Sequence, residues 1–99
     1  MLNVEPFQIE VAQLCQRLGV KHLDIFGSAT TTRFGPGSDV DFLVEFDRSD
    51  GRLFDRYFEL KEGLEALFSR PADVVMIEAI RNPYFRAAAD ASRRPLYAA

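Results

Sequence analysis

The sequence predicts an α+β fold, or a small α/β one, built on one sheet of three to four strands with helices mainly on one face. Three observations carry this. Two short runs, 21–26 and 39–46, alternate as strands do. Around them lie stripes with helical spacing, Phe7, Val11, Leu14 and Leu18, then Leu53, Tyr57, Leu60, Leu64 and Leu67. Finally, 99 residues make a single domain, 1–99, with one modest core, which suits one sheet backed by helices.

The elements follow in order. Pro6 suits the first turn of the first helix and Gly19 its end. In the strand over 21–26, Leu23 and Ile25 share one face and Asp24 and Phe26 the other. A brief helix is expected after Ser28, over 29–34, and Gly35-Pro36-Gly37 is a turn signal. In the strand over 39–46, Val40, Phe42, Val44 and Phe46 form an apolar face that should pack on helices. Asp39, Asp41, Leu43 and Glu45 form a face expected to open toward solvent. Asp47 through Gly51 reads as a turn, and Ser69-Arg70-Pro71 ends the long helix begun at Leu53. Ala72–Ile77 is a short third strand. Asn82 can cap a last helix with Pro83 at its first position, running to about Ser92. Pro95 interrupts the chain before the tail Leu96-Tyr97-Ala98-Ala99.

Composition narrows the function. No apolar run approaches the roughly 20 residues that cross a bilayer, and the first residues lack the pattern of a signal peptide. Cys15 is the one cysteine, so no internal disulfide forms and a cytoplasmic setting is expected. With His22 the one histidine, a zinc site is not expected. The 12 Lys and Arg against 15 Asp and Glu leave a net charge of −3. That argues against stable binding to nucleic acid, which rests on neutralising phosphates, but is compatible with a nucleotide that brings its own Mg²⁺.

The chemistry concentrates in residues 27–41. Gly27-Ser28 breaks the first strand, ten residues intervene, and Asp39-Val40-Asp41 opens the second. Residues i and i+2 of a strand point to one side, with backbones about 6.6 Å apart at ~3.3 Å per residue. Two carboxylates so placed repel unless a cation lies between them. A pair of divalent ions about 3.5–4 Å apart would fit, an arrangement used in phosphoryl and nucleotidyl transfer. Asp73 starts the third strand, reached through a helix of crossover length. If the two strands are neighbours, it joins the same site and is the candidate to accept a proton or orient a nucleophile. Gly27 lets the backbone approach a ligand, and Ser28 offers a hydroxyl and an N–H at a possible helix start, which attracts anions. No Gly-Lys-Ser/Thr follows, so this is not a P-loop.

Gly27-Ser28, ten residues and then Asp-x-Asp resembles the signature of the minimal nucleotidyltransferases, small members of the DNA polymerase β-like superfamily. Leu23-Asp24-Ile25-Phe26 before it, Asp41 through Phe46 after it, Asp73-Val74-Val75 and Ile80 through Tyr84 extend the resemblance from about residue 7 to residue 97. It implies the polymerase β-like fold. Asp39, Asp41 and Asp73 would be catalytic and hold two Mg²⁺ ions, while Gly27 and Ser28 would bind the phosphates of ATP. It further implies transfer of AMP to a protein, typically by an antitoxin that adenylylates a tyrosine of a HEPN-domain ribonuclease toxin, with which it could assemble. Relatives commonly carry Arg three residues after the motif serine. Here that position is Thr31, and Arg33 becomes the candidate to reach the triphosphate. Two alternatives stay open: an antitoxin that acts by binding alone, and a transferase that extends RNA 3′ ends.

The remaining polar and aromatic residues read more plainly. His22 is expected to face solvent, and Glu45 to be a surface acid two strand steps from Asp41. Cys15 should be a small apolar filler. Tyr84, Phe85 and Tyr97 should pack the terminal segment down.

Overall fold

The computed structural model, described for residues 1–48 and 51–99, has four strands in one mixed sheet. They are β1 (Val20–Phe26), β2 (Val40–Phe46), β3 (Ala72–Met76) and β4 (Arg94–Ala98), in the order β3-β2-β1-β4. β1 runs antiparallel to β2 and β4, and β3 runs parallel to β2. Three helices accompany them, α1 (Gln8–Arg17), α2 (Leu53–Phe68) and α3 (Pro83–Ser92). The parallel pair is a consequence of α2, since a strand that returns alongside its predecessor needs a crossover of this length. The turn expected over Asp47–Gly51 lies partly outside the described residues.

α1 and α2 cover the face carrying Leu23, Ile25, Val40, Phe42, Val44 and Phe46, as the alternation of β2 requires. The two helices approach closely at Gly63, where a Cβ would meet the Leu14 side chain at 2.7 Å. Cys15 is fully buried there, and burial pushes its thiol pKa up to about 12.

The opposite face departs from expectation. Leu43 does not open to solvent with its acidic neighbours. It is buried with Phe26 and Ala89 of α3, flanked by Val75, Ile77 and Ile80. A leucine on that face is apolar surface that α3 can cover, which removes it from water. Asn82 caps α3 as expected, accepting from the Tyr84 and Phe85 N–H groups at 2.9 and 3.4 Å. Phe85 sets its ring edge-on to Phe26, but Tyr84 is 85% exposed and does not pack the terminus down.

Two further expectations are corrected. The tail is not irregular, because residues 94–98 form β4 despite Pro95. β4 is an edge strand, where a residue without an N–H is tolerated, and the pairing with β1 slips between Leu23 and Asp24, where Pro95 sits. The helix after Ser28 is a single 3-10 turn, Gly27–Thr30, instead of one over 29–34. Thr30 and Thr31 stop it by donating their hydroxyls back to the Gly27 and Ser28 carbonyls at 3.0 and 2.9 Å.

Side chains of α2 cover the exposed edge of β3. Tyr57 donates its hydroxyl to the Val74 carbonyl at 2.7 Å, Lys61 donates to the Ala72 carbonyl, and Glu65 accepts the Ala72 N–H at 2.9 Å. Those are the groups an edge strand would otherwise offer to another chain. At the end of the sheet remote from the glycine turn, Arg56, 7% exposed, gathers the loops. It donates to the carbonyls of Gly51 (2.7 Å), Leu18 (3.1 Å), Gly19 (3.2 Å) and Asp47 (3.0 Å), and its guanidinium lies 5.1 Å from the Phe46 ring centre.

Candidate functional site

Strand pairing brings the motif residues together. Asp41 of β2 and Asp73 of β3 are register partners in the parallel pair, so the two carboxylates start from backbones about 4.8 Å apart. Asp39 precedes β2 and lies two residues from Asp41. On the other side Phe26, the last residue of β1, pairs with Asp41. Gly27-Ser28 therefore leaves the sheet directly beside that carboxylate. A Cβ on Gly27 would lie 2.6 Å from Asp41 Oδ2, and the backbone there has φ +73°. Both facts call for glycine.

The electrostatics follow. Asp41 is half-buried, and its pKa is raised, first by burial and then by the charges of Asp73 and Asp39. Asp39 and Asp73 are thus both within electrostatic reach of Asp41, and a cation is the counterpart that offsets their repulsion. A set of carboxylate oxygens suits a hard divalent ion such as Mg²⁺. Among the described residues, no three His, Cys, Asp or Glu side chains are already drawn together as a metal-ligand cluster.

The candidate phosphate residues sit in the turn after β1 and the loop beyond it. The Gly27 N–H donates to Ser92 Oγ of α3 at 2.9 Å, so it faces the protein and not a ligand. Ser28 is half-buried, and the single turn Gly27–Thr30 that contains it is too short to act as a helix dipole. Arg33 is exposed, and its N–H donates to Thr31 Oγ1 at 3.2 Å. No ion pair joins Arg33 to the acids among the described residues. Thr31 donates its own hydroxyl to the Ser28 carbonyl, so it braces the turn.

Several groups around the site had no signal in the sequence. Asp24 is only 2% exposed on β1. Arg93 donates from Nε to Asp24 Oδ2 at 2.6 Å and from Nη1 to Asp90 at 2.8 Å. His22 is half-buried instead of solvent-facing, with Nδ1 3.3 Å from Asp24 Oδ1. That contact lacks hydrogen-bond geometry, since Oδ1 remains without a hydrogen-bond partner. Together with the Ser92–Gly27 bond, the Arg93 pair fastens the last turn of α3 to β1 and the glycine turn. Arg70, half-buried, donates toward the loop before Asp39 and stacks on Phe34. Partners that are backbone carbonyls leave no mark on a sequence, so this contact could not have been foreseen.

Comparison with known proteins agrees with the geometry. The pattern of the nucleotidyltransferase domain family matches residues 10–96. The chain is 36% identical over 70 residues to the protein adenylyltransferase MntA of Thermococcus cleftensis, covering 71% of this chain and 69% of that one. A solved structure described as a candidate minimal nucleotidyltransferase superposes with a TM-score of 0.76 at 29% identity, covering 94% of this chain and 92% of the other. The fold is also shared, at 14% identity and a TM-score of 0.66, with a chain from the complex of a tri-AMPylated Shewanella oneidensis HEPN toxin and its MNT antitoxin, over 98% of this chain and 74% of that one. The chain belongs to the minimal nucleotidyltransferases of the nucleotidyltransferase domain family.

Proposed function

We propose that this nucleotidyltransferase moves AMP from ATP to a hydroxyl of a protein acceptor, and that the acceptor is a tyrosine of a HEPN-type toxin, which the transfer silences. The observation that carries the proposal is the register pairing of Asp41 with Asp73, beside Asp39 and against Gly27. Asp39, Asp41 and Asp73 would hold two Mg²⁺ ions, which when bound offset the negative charge of the triphosphate and lower the pKa of the attacking hydroxyl. Gly27, without a side chain, leaves room for phosphate next to Asp41. Ser28 contributes its hydroxyl and N–H to the phosphates, and Arg33 can swing in from solvent. Asp73, exposed on the edge strand, takes the proton as the acceptor oxygen bonds to the α-phosphorus. The bond from that phosphorus to the bridging oxygen breaks, and pyrophosphate leaves with the electron pair. The protein acceptor is supported by the name of the Thermococcus cleftensis relative, and the HEPN partner by the family resemblance and the MNT–HEPN complex.

The test is transfer of label from α-labelled ATP to a co-purified partner. Asp39→Asn with Asp41→Asn should abolish it with the fold intact by circular dichroism, and undiminished labelling refutes the metal assignment. The second reading, neutralisation by binding alone, draws on Thr31, which is uncharged and already occupied with the Ser28 carbonyl. It predicts that the same double variant still suppresses toxicity. Label on RNA in place of protein would favour the 3′-end transferase.

A further inference from the structure

Arg70 lies outside the motif, yet its contacts converge on the segment that presents Asp39. α2 ends at Phe68, Ser69 turns the chain with φ +55°, and Arg70 follows, three residues before Asp73. Its Nη1 lies 2.8 Å from the Gly35 carbonyl, 3.3 Å from that of Pro36 and 3.2 Å from that of Ser38. Its guanidinium sits 4.3 Å from the centre of the Phe34 ring. The turn it holds is closed by its own bonds, Ser38 N–H to the Gly35 carbonyl at 3.0 Å and Gly35 N–H to Ser38 Oγ at 3.1 Å. Next to Arg70, the Pro71 carbonyl accepts the Val40 N–H at 3.0 Å, the first rung between the two acid-bearing strands.

Gly35, Pro36 and Gly37 leave this stretch with little side-chain packing of its own. Phe34 packs against the core and the Val40 N–H is bonded to the Pro71 carbonyl, and between these two anchors Arg70 is the side chain that ties the turn to the segment leading into β3. Arg70 makes no ion pair with an acid among the described residues. Its charge is directed to carbonyl dipoles, an arrangement that fixes position.

We propose that Arg70 is the positioning residue of the acid site. By clamping the Gly35–Ser38 turn to the start of β3, it sets the separation of Asp39 from Asp73 and so the affinity of the site for a divalent ion with nucleotide. The inference rests on the nucleotidyltransferase reading of that site. It makes Arg70 a positioning residue and not a catalytic one, because Nη1 holds the turn and the side chain is not placed on substrate.

The test is calorimetric titration of the full chain with Mn²⁺ and AMP-PNP, beside thermal melting. Arg70→Lys keeps the charge and loses the flat group that lies on the Phe34 ring while Nη1 donates to the turn. It should weaken binding about tenfold, the scale on which outer residues affect metal sites, and move the amide resonances of residues 35–39 while the fold persists. Arg56→Lys, the matching change at the other end, should lower Tm and leave affinity unchanged at a temperature where it is folded. Wild-type affinity in Arg70→Lys overturns the inference, and so does equal weakening by both variants. If Arg70→Lys does not fold, Phe34→Leu, which removes the ring beneath the guanidinium, decides in the same sense. If the wild type itself binds no Mn²⁺ and AMP-PNP, the nucleotidyltransferase reading of the site fails first and this inference with it.

Discussion

Arg56 and Arg70 use the same device at opposite ends of the sheet. Each sets a guanidinium over a phenylalanine and spends its donors on loop carbonyls. They differ in burial and in what they fasten. Arg56 is itself buried and ties Leu18 and Gly19, after α1, to Asp47 and Gly51, so removing it strands the Leu18 carbonyl and opens a gap beside Phe46. Arg70 is half-buried, and the turn it grips leads into an acid of the site. The same contact is therefore worth more to stability at the first end and more to function at the second.

Arg56→Ala should give the largest effect, a loss of about 3 kcal/mol or roughly 15 °C in Tm, since one buried and three part-buried carbonyls lose their donor together and a buried side chain leaves the Phe46 ring. Thermal denaturation followed by circular dichroism measures it, and a drop under ~3 °C would erase the contrast. Arg70→Ala should cost less, about 1 kcal/mol or roughly 5 °C, because water can reach the freed carbonyls. Cys15 sharpens the comparison as a buried reporter whose thiol, pushed up to about 12, stays unreactive until the core opens. Labelling by a chromogenic disulfide should accelerate about 100-fold in Arg56→Ala and no more than about fivefold in Arg70→Ala, given tenfold per 1.4 kcal/mol.

The smallest effect has the opposite sign. In the metal-free protein Asp41→Asn should be stabilising, by about 0.5 kcal/mol or roughly 3 °C at pH 7, a modest figure because solvent screens the acids. The pKa of Asp41 is raised in the folded protein, so its ionised form costs stability. The cost is absent below the ordinary carboxylate range, grows as pH rises through it, and is complete above the raised value. The advantage of the variant should therefore vanish near pH 3, as Tm measured across pH would show.

Much of the architecture could be read directly, and the exceptions have definite causes. The helical stripes and the alternation of Val40 through Phe46 dictate α1, α2 and β2, and the length of α2 forces β3 to run parallel to β2. The register pairing of Asp41 with Asp73 needed the two strands to be neighbours, a condition that the sequence left open and the sheet order meets. Pro95 concealed β4, because an edge strand accepts a proline that an interior strand would reject. Leu43 was misplaced because alternation assigns a face without saying whether another helix will cover it. The bond from the Gly27 N–H to the Ser92 hydroxyl was not legible, since the partner comes from 65 residues further along the chain. The two arginine clamps bind main chain, whose chemistry is the same at every position.

One feature of β3 reaches beyond the single molecule. A fibre of stacked copies needs two receptive borders on every sheet, one to accept and one to offer. Tyr57, Lys61 and Glu65 spend their polar atoms on the β3 border, which leaves β4 as the remaining side for strand addition. Backbone zippering through β3 is thereby opposed at Ala72 and at the Val74 carbonyl.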